Sequence, residues 1–138
     1  MDLVLVKILL NGCFDLLHPG HIQLFEHCNL YPDRYVKVLI DSDRRIKEHK
    51  GASRPIINQD SRAYMIRSLK WVDDVVIFDN DNQLITCIAS YQPDIMIKGS
   101  EYKDKMIIGE SYCKQVVFID IDENYSTSKI ISSIINRG

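Results

Sequence analysis

His18 and His21 stand three residues apart around Pro19-Gly20, in the stretch Asn11-Gly12-Cys13-Phe14-Asp15-Leu16-Leu17-His18-Pro19-Gly20-His21 that follows an apolar run. At the start of a helix this spacing turns both imidazoles toward one ligand. Pro19 fixes the turn and Gly20 permits close backbone approach. Free N–H groups at a helix start add positive potential, so the chemistry that suits this junction is phosphate binding. For an isolated pair, the competing account is two wet surface histidines beside a turn. Asp15 is the carboxylate placed to orient an imidazole or to hold magnesium through water, against the simpler role of capping a turn.

Three later stretches extend this set. Asp41 to Lys50 holds Arg44, Arg45, Lys47 and Lys50 in what reads as a loop able to fold over a polyphosphate. Lys50 is the best placed of the four, and the other three read as solvated charge. Lys98-Gly99-Ser100-Glu101-Tyr102 closes an apolar run, with Gly99 open to a nucleotide. Ser126-Thr127-Ser128 precedes an isoleucine-rich helical pattern, where hydroxyls and free N–H groups either cap the helix or seat a phosphate.

The elements that position these residues show in the hydropathy. Apolar runs from Leu3 to Leu10, Tyr35 to Ile40, Val75 to Phe78, Asp94 to Lys98 and Val116 to Ile121 are each separated by room for a helix. Continuous apolar strands alternating with helices indicate a parallel sheet covered on both faces. Helical spacing links Ile22, Phe25 and Cys28, then Ala63, Ile66 and Leu69, then Leu84, Ile85, Ile88 and Ala89. Asp60 and Asn82 are expected to cap the second and third of these helices, and Ser126 the terminal one. The expectation is one doubly wound, Rossmann-like α/β domain over residues 1–138, with about five parallel strands and ligands bound beyond their carboxyl ends.

Composition narrows the partners. The 138 residues are 46% hydrophobic and 26% charged, with a net charge of −2, so no global positive field attracts nucleic acid or an anionic membrane. No apolar run approaches the ~20 residues of a membrane span. Asp2 and Lys7 interrupt the N-terminal run, which fits a strand better than a secretory leader. Cys13, Cys28, Cys87 and Cys113 include no Cys-x-x-Cys pair, which argues against a zinc site and, with the missing leader, favours reduced thiols in the cytoplasm.

Gly12, Phe14, Asp15 and the complete His-Pro-Gly-His cluster resemble the signature of the nucleotidyltransferase superfamily that includes the cytidylyltransferases. The resemblance extends through Lys50-Gly51-Ala52-Ser53-Arg54-Pro55, Arg62, Lys98 to Tyr102 and Ser126 to Ile130. The order and spacing look most like heptose 1-phosphate adenylyltransferase domains, then glycerol-3-phosphate cytidylyltransferases. That resemblance implies transfer of a nucleoside monophosphate from ATP or CTP to a phosphorylated small molecule, with magnesium, release of pyrophosphate and a possible homodimer.

It further implies catalytic roles for His18, His21, Lys50 and Arg62, the last pointed at the phosphates. The nucleotide would meet Gly12, Cys13, Phe14, Asp15, Gly20, Lys98, Gly99, Glu101, Ser126, Thr127 and Ser128. Ser100 and Glu101 depart from the more usual Gly-Asp. Cytidylyltransferases carry an arginine shortly before the Ser-Thr element, whereas Asp120 to Tyr125 contains none, so ATP is favoured over CTP and a sugar 1-phosphate is the leading acceptor. A non-catalytic nucleotide-binding module is disfavoured by the intact set. A phospho-receiver domain is disfavoured because Asn11-Gly12-Cys13 replaces the acidic pair it needs after the first strand.

Overall fold

The computed structural model describes residues 4–138, so Leu3 of the expected first strand lies outside them. The strands are β1 (Val6–Gly12), β2 (Arg34–Asp41), β3 (Asp74–Phe78), β4 (Ile95–Gly99) and β5 (Gln115–Ile119). All pair in parallel, in the order β3-β2-β1-β4-β5. The sheet therefore grows from β1 first toward β3 and then, through one long crossover, toward β5. The strand order reverses between β1 and β4, where such sheets bind ligands.

Alternation along the strands divides two cores. Ile8, Leu10, Val36, Val38, Ile40, Ile95 and Ile97 face one layer, in which Phe25 of α1 (Pro19–Glu26) and Ala63 and Ile66 of α3 (Gln59–Arg67) are buried. Leu9, Leu39 and Met96 face the other, with Leu84 and Ile88 of α4 (Asp81–Tyr91). Phe25 is fully buried, and its truncation to alanine would cost about 3–5 kcal/mol.

Three expectations are corrected. The segment read as a basic loop is the helix α2 (Asp43–Lys50). With Ile46 its one large apolar residue, it lacks an apolar rhythm. It is held instead by the Ser42 cap on the Arg45 N–H and an Arg44–Glu48 pair one turn apart. The caps of α3 and α4 are Asn58 and Asn80, each two residues before the expected Asp60 and Asn82. Asp60 sits in the first turn, where its charge suits the positive end of the helix. Finally, β5 ends at Ile119, short of Ile121. The terminal helix α5 (Thr127–Arg137) starts as expected, with Ser126 accepting from the Lys129 N–H. Among the described residues no helix is long and apolar enough to cross a membrane.

Candidate active site

The carboxyl ends of the strands open into a cavity of about 480 Å³, walled by Gly12 of β1, Asp41 of β2, Phe78 of β3, Gly99 of β4 and Ile121 beyond β5. His18 and His21 project into it from the start of α1, their rings stacked at 3.8 Å between centroids. They also cap the helix that carries them. His18 Nδ1 accepts from the Gly20 N–H at 3.1 Å, and His21 Nδ1 accepts from the His18 N–H at 3.3 Å. An accepting Nδ1 places the proton of the neutral ring on Nε2, so each histidine is set as a neutral hydrogen-bond donor.

Burial enforces that state. It lowers the pKa of His18 and drives that of His21 from 6.5 to about 4, assisted there by the charges of His18 and Lys50. A Cβ on Gly20 would lie 2.9 Å from His18 Cε1, so glycine is required for the ring to lie against the backbone.

Asp15 lines the cavity with its carboxylate turned to backbone. Its Oδ2 accepts from the Ile56 N–H at 2.7 Å and its Oδ1 from the Ile57 N–H at 2.9 Å, with only 2% of the residue exposed. The carbonyl of Asp15 accepts from Thr127 Oγ1 at 2.6 Å. Asp15 thus ties the β1–α1 turn both to residues 56–57 and to α5. Phe14 and Leu16 flank it in left-handed backbone, φ 51° and 54°. That conformation is costly for large side chains and persists where surrounding contacts impose it. Among the described residues, no three His, Cys, Asp or Glu side chains gather in a metal-binding group.

Arg62 is placed differently from the expectation. It is 1% exposed and behind the cavity wall, donating to the carbonyls of Ile57, Cys13 and Asp41 and to Asp43 Oδ1 at 2.8–2.9 Å. Every reach of its guanidinium goes to protein, and it fastens β1, β2 and α3 together. Of the other expected residues, Gly12, Cys13, Phe14, Lys50, Lys98, Gly99 and Glu101 line the cavity with Ser126, Thr127 and Ser128, whereas Gly20 is buried against the His18 ring and does not line it. Burial lowers the Lys98 pKa to about 8 against the raising pull of Asp41, and its ammonium lies 5.0 Å from the Tyr102 ring centre. The Cys13 thiol is pushed up, chiefly by burial and next by Asp41, so it stays protonated.

Residues the sequence left without a role also line the cavity, notably Asn11, Arg45 and Arg54. Asn11 adjoins the first motif and Arg54 precedes Pro55 within a quoted stretch, but nothing in residue type alone separates them from surface polar groups. Neutral imidazole donors, lysines and a helix start converge here on a space fit for phosphates, beside a thiol that is not ionised. Such an arrangement suits a substrate that brings its own nucleophile, as the substrates of nucleotidyltransferases do.

The chain belongs to the cytidylyltransferase-like family, whose model matches residues 9–137. The bifunctional protein HldE of Campylobacter jejuni strain RM1221 is 42% identical over 127 residues, 92% of this chain and 27% of that protein. The bifunctional protein HldE of Helicobacter pylori strain P12 is 40% identical over 124 residues, 90% of this chain and 26% of that one. The chain therefore spans about a quarter of the length of these relatives. The crystal structure of a lipopolysaccharide core biosynthesis protein from Thermoplasma volcanium shares the fold, with a TM-score of 0.65 at 23% identity, covering 89% of this chain and all of the other.

Proposed function

We propose that residues 1–138 form one nucleotidyltransferase domain that moves AMP, in preference to CMP, from a nucleoside triphosphate to heptose 1-phosphate or a similar sugar phosphate. The observation that carries this reading is the stacked His18–His21 pair, held neutral and aimed into a cavity that α5 also enters by its N-terminus. The acceptor phosphate, largely dianionic above a second pKa of about 6, attacks without surrendering a proton. A bond forms from its oxygen to the α-phosphorus, the bond from that phosphorus to the α–β bridging oxygen breaks, and the electron pair leaves with pyrophosphate. Nε2–H donors of His18 and His21 stabilise charge on the α-phosphate, and Lys50 and Lys98 offset the rest of the polyphosphate charge.

Magnesium enters as the counter-ion of the triphosphate. Asp15, the residue expected to hold magnesium through water, already gives each carboxylate oxygen to a backbone N–H. The preference for ATP rests on the absence of an arginine between Asp120 and Tyr125. The heptose acceptor rests on the HldE relatives, and a role in lipopolysaccharide precursor synthesis in the cytoplasm follows from that acceptor. A homodimer is part of the same family-based proposal.

Pyrophosphate release measured with ATP and CTP against heptose, hexose and glycerol phosphates tests the whole reading. ATP with heptose 1-phosphate is expected to turn over fastest. A tenfold preference for CTP would reverse the nucleotide assignment, and no release with any pair would remove the activity.

A further inference from the structure

Two arginines follow β2 within eight residues of each other, and their surroundings are opposite. Arg62 has an acceptor for every edge of its guanidinium. Arg54 has almost none. Its Nε is buried without a hydrogen-bond partner. Its ion pair with Asp15 Oδ2 spans 3.7 Å, beyond hydrogen-bond range, because the Asp15 oxygens already take the Ile56 and Ile57 N–H groups. Among the described residues its guanidinium makes one hydrogen bond, from Nη1 to Ser128 Oγ, stretched to 3.5 Å. Yet the side chain is only 13% exposed, so water does not freely replace the missing acceptors.

A desolvated guanidinium with unmet donors is costly unless something anionic completes it. Arg54 lines the cavity beside the first turn of α5, and its backbone is fixed. The Arg54 N–H donates to the Gly51 carbonyl, Lys47 Nζ donates to the Arg54 carbonyl, and Asp15 grips the two residues after Pro55. A planar fork held on a fixed loop suits bidentate contact with phosphate oxygens.

Resting on the proposed nucleotidyl transfer, we propose that Arg54, in place of Arg62, grips the pyrophosphate end of the bound nucleoside triphosphate. Its two forward donors take oxygens of the leaving group at the start of α5, so the electron pair released from the α-phosphorus settles on a group already neutralised in part. Arg54 then contributes little to binding of the monophosphate, which ends before that position.

Calorimetric titration of the full chain with magnesium pyrophosphate, the preferred nucleoside triphosphate and its monophosphate separates the possibilities. Arg54→Gln is expected to weaken pyrophosphate and triphosphate by about tenfold or more, the scale of a hydrogen bond to a charged group, with monophosphate affinity within about twofold. Arg54→Lys, which keeps the charge but not the fork, is expected to recover part of the loss. Equal weakening of triphosphate and monophosphate, or unchanged triphosphate binding, overturns the assignment while leaving the transferase reading intact. Should Arg54→Gln fail to melt cooperatively, Arg54→Lys decides, since wild-type pyrophosphate affinity in that variant refutes the role of the fork. A wild-type chain that binds no triphosphate overturns both this inference and the activity on which it rests.

Discussion

The β1–α1 turn and the β4–β5 connection both line the cavity, but they are built in contrasting ways. In the first, hydrogen bonds reach across the chain: Asp15 binds residues 41 and 42 positions away, and its carbonyl takes one 112 positions away. In the second, two short 3₁₀ turns, Ser100–Tyr102 and Glu110–Tyr112, close on neighbours three residues off. Met106 there is 94% exposed, although Ile107 beside it anchors in the core. Long-range ties through Asp15 anchor the turn, local caps set His18 and His21 upon it, and the proposed phosphate contacts need such tight placement for catalysis. Local ties leave a segment whose surface can vary without disturbing them.

The largest expected effect breaks the first region. His18→Asn retains a good cap for α1 but removes the Nε2 donor, and turnover is expected to fall ~10²-fold or more with little change in melting temperature. His49→Ala, outside the motif and exposed on α2, serves as the control and is expected to keep turnover within about twofold. Near-normal turnover in His18→Asn would remove the imidazole from the chemistry.

Gly20→Ala tests the same region through geometry alone. The new methyl group meets His18 Cε1 at 2.9 Å and must displace the ring, so kcat is expected to drop about tenfold while the chain still melts cooperatively. Full activity would mean that the ring position carries no weight.

A smaller effect is expected in the β4–β5 connection. Tyr102 lies between Lys98 and Lys105, with ring distances of 5.0 and 5.4 Å. Tyr102→Leu is expected to shift the KM of one substrate about threefold and leave kcat within twofold, in keeping with a modest cation–π contribution. A kcat loss as large as that of His18→Asn would erase the distinction between the regions.

The smallest expected effect is on stability and follows from the buried histidines. Between pH 6.5 and about 4 the unfolded chain binds a proton at residue 21 that the folded chain does not, and the His18 shift runs in the same direction. Stability therefore rises with pH across that window and is lost as pH falls through it. Melting temperature is expected to decline by a few degrees from pH 7 to pH 5, and less so in His21→Gln. An identical decline in the variant would assign the acid sensitivity elsewhere.

What the sequence made legible follows from how local each signal is. Five strands and their cover were readable because Leu39 or Ile97 belongs to a continuous apolar run, whatever the distant partners. α2 was not, since its stability comes from a cap and charge pairs without an apolar stripe. The histidines were found from type and spacing, but their capping of their own helix was not, because histidine is an unusual cap. The tasks of Asp15, Arg54 and Arg62 depend on what lies opposite in the folded chain. An arginine facing three carbonyls and one facing almost nothing read alike as letters.

The hydroxyl of Thr127 and the carbonyl of Asp15 close a loop of more than a hundred residues at the floor of the cavity. Contacts of such separation form late in folding and, on the ribosome, only after the distal partner has emerged. A nascent chain can thus complete its sheet and stack its histidines while the phosphate end of the cleft still lacks one wall. Under the proposed function, affinity for triphosphate is expected only once α5 has docked on the β1–α1 turn.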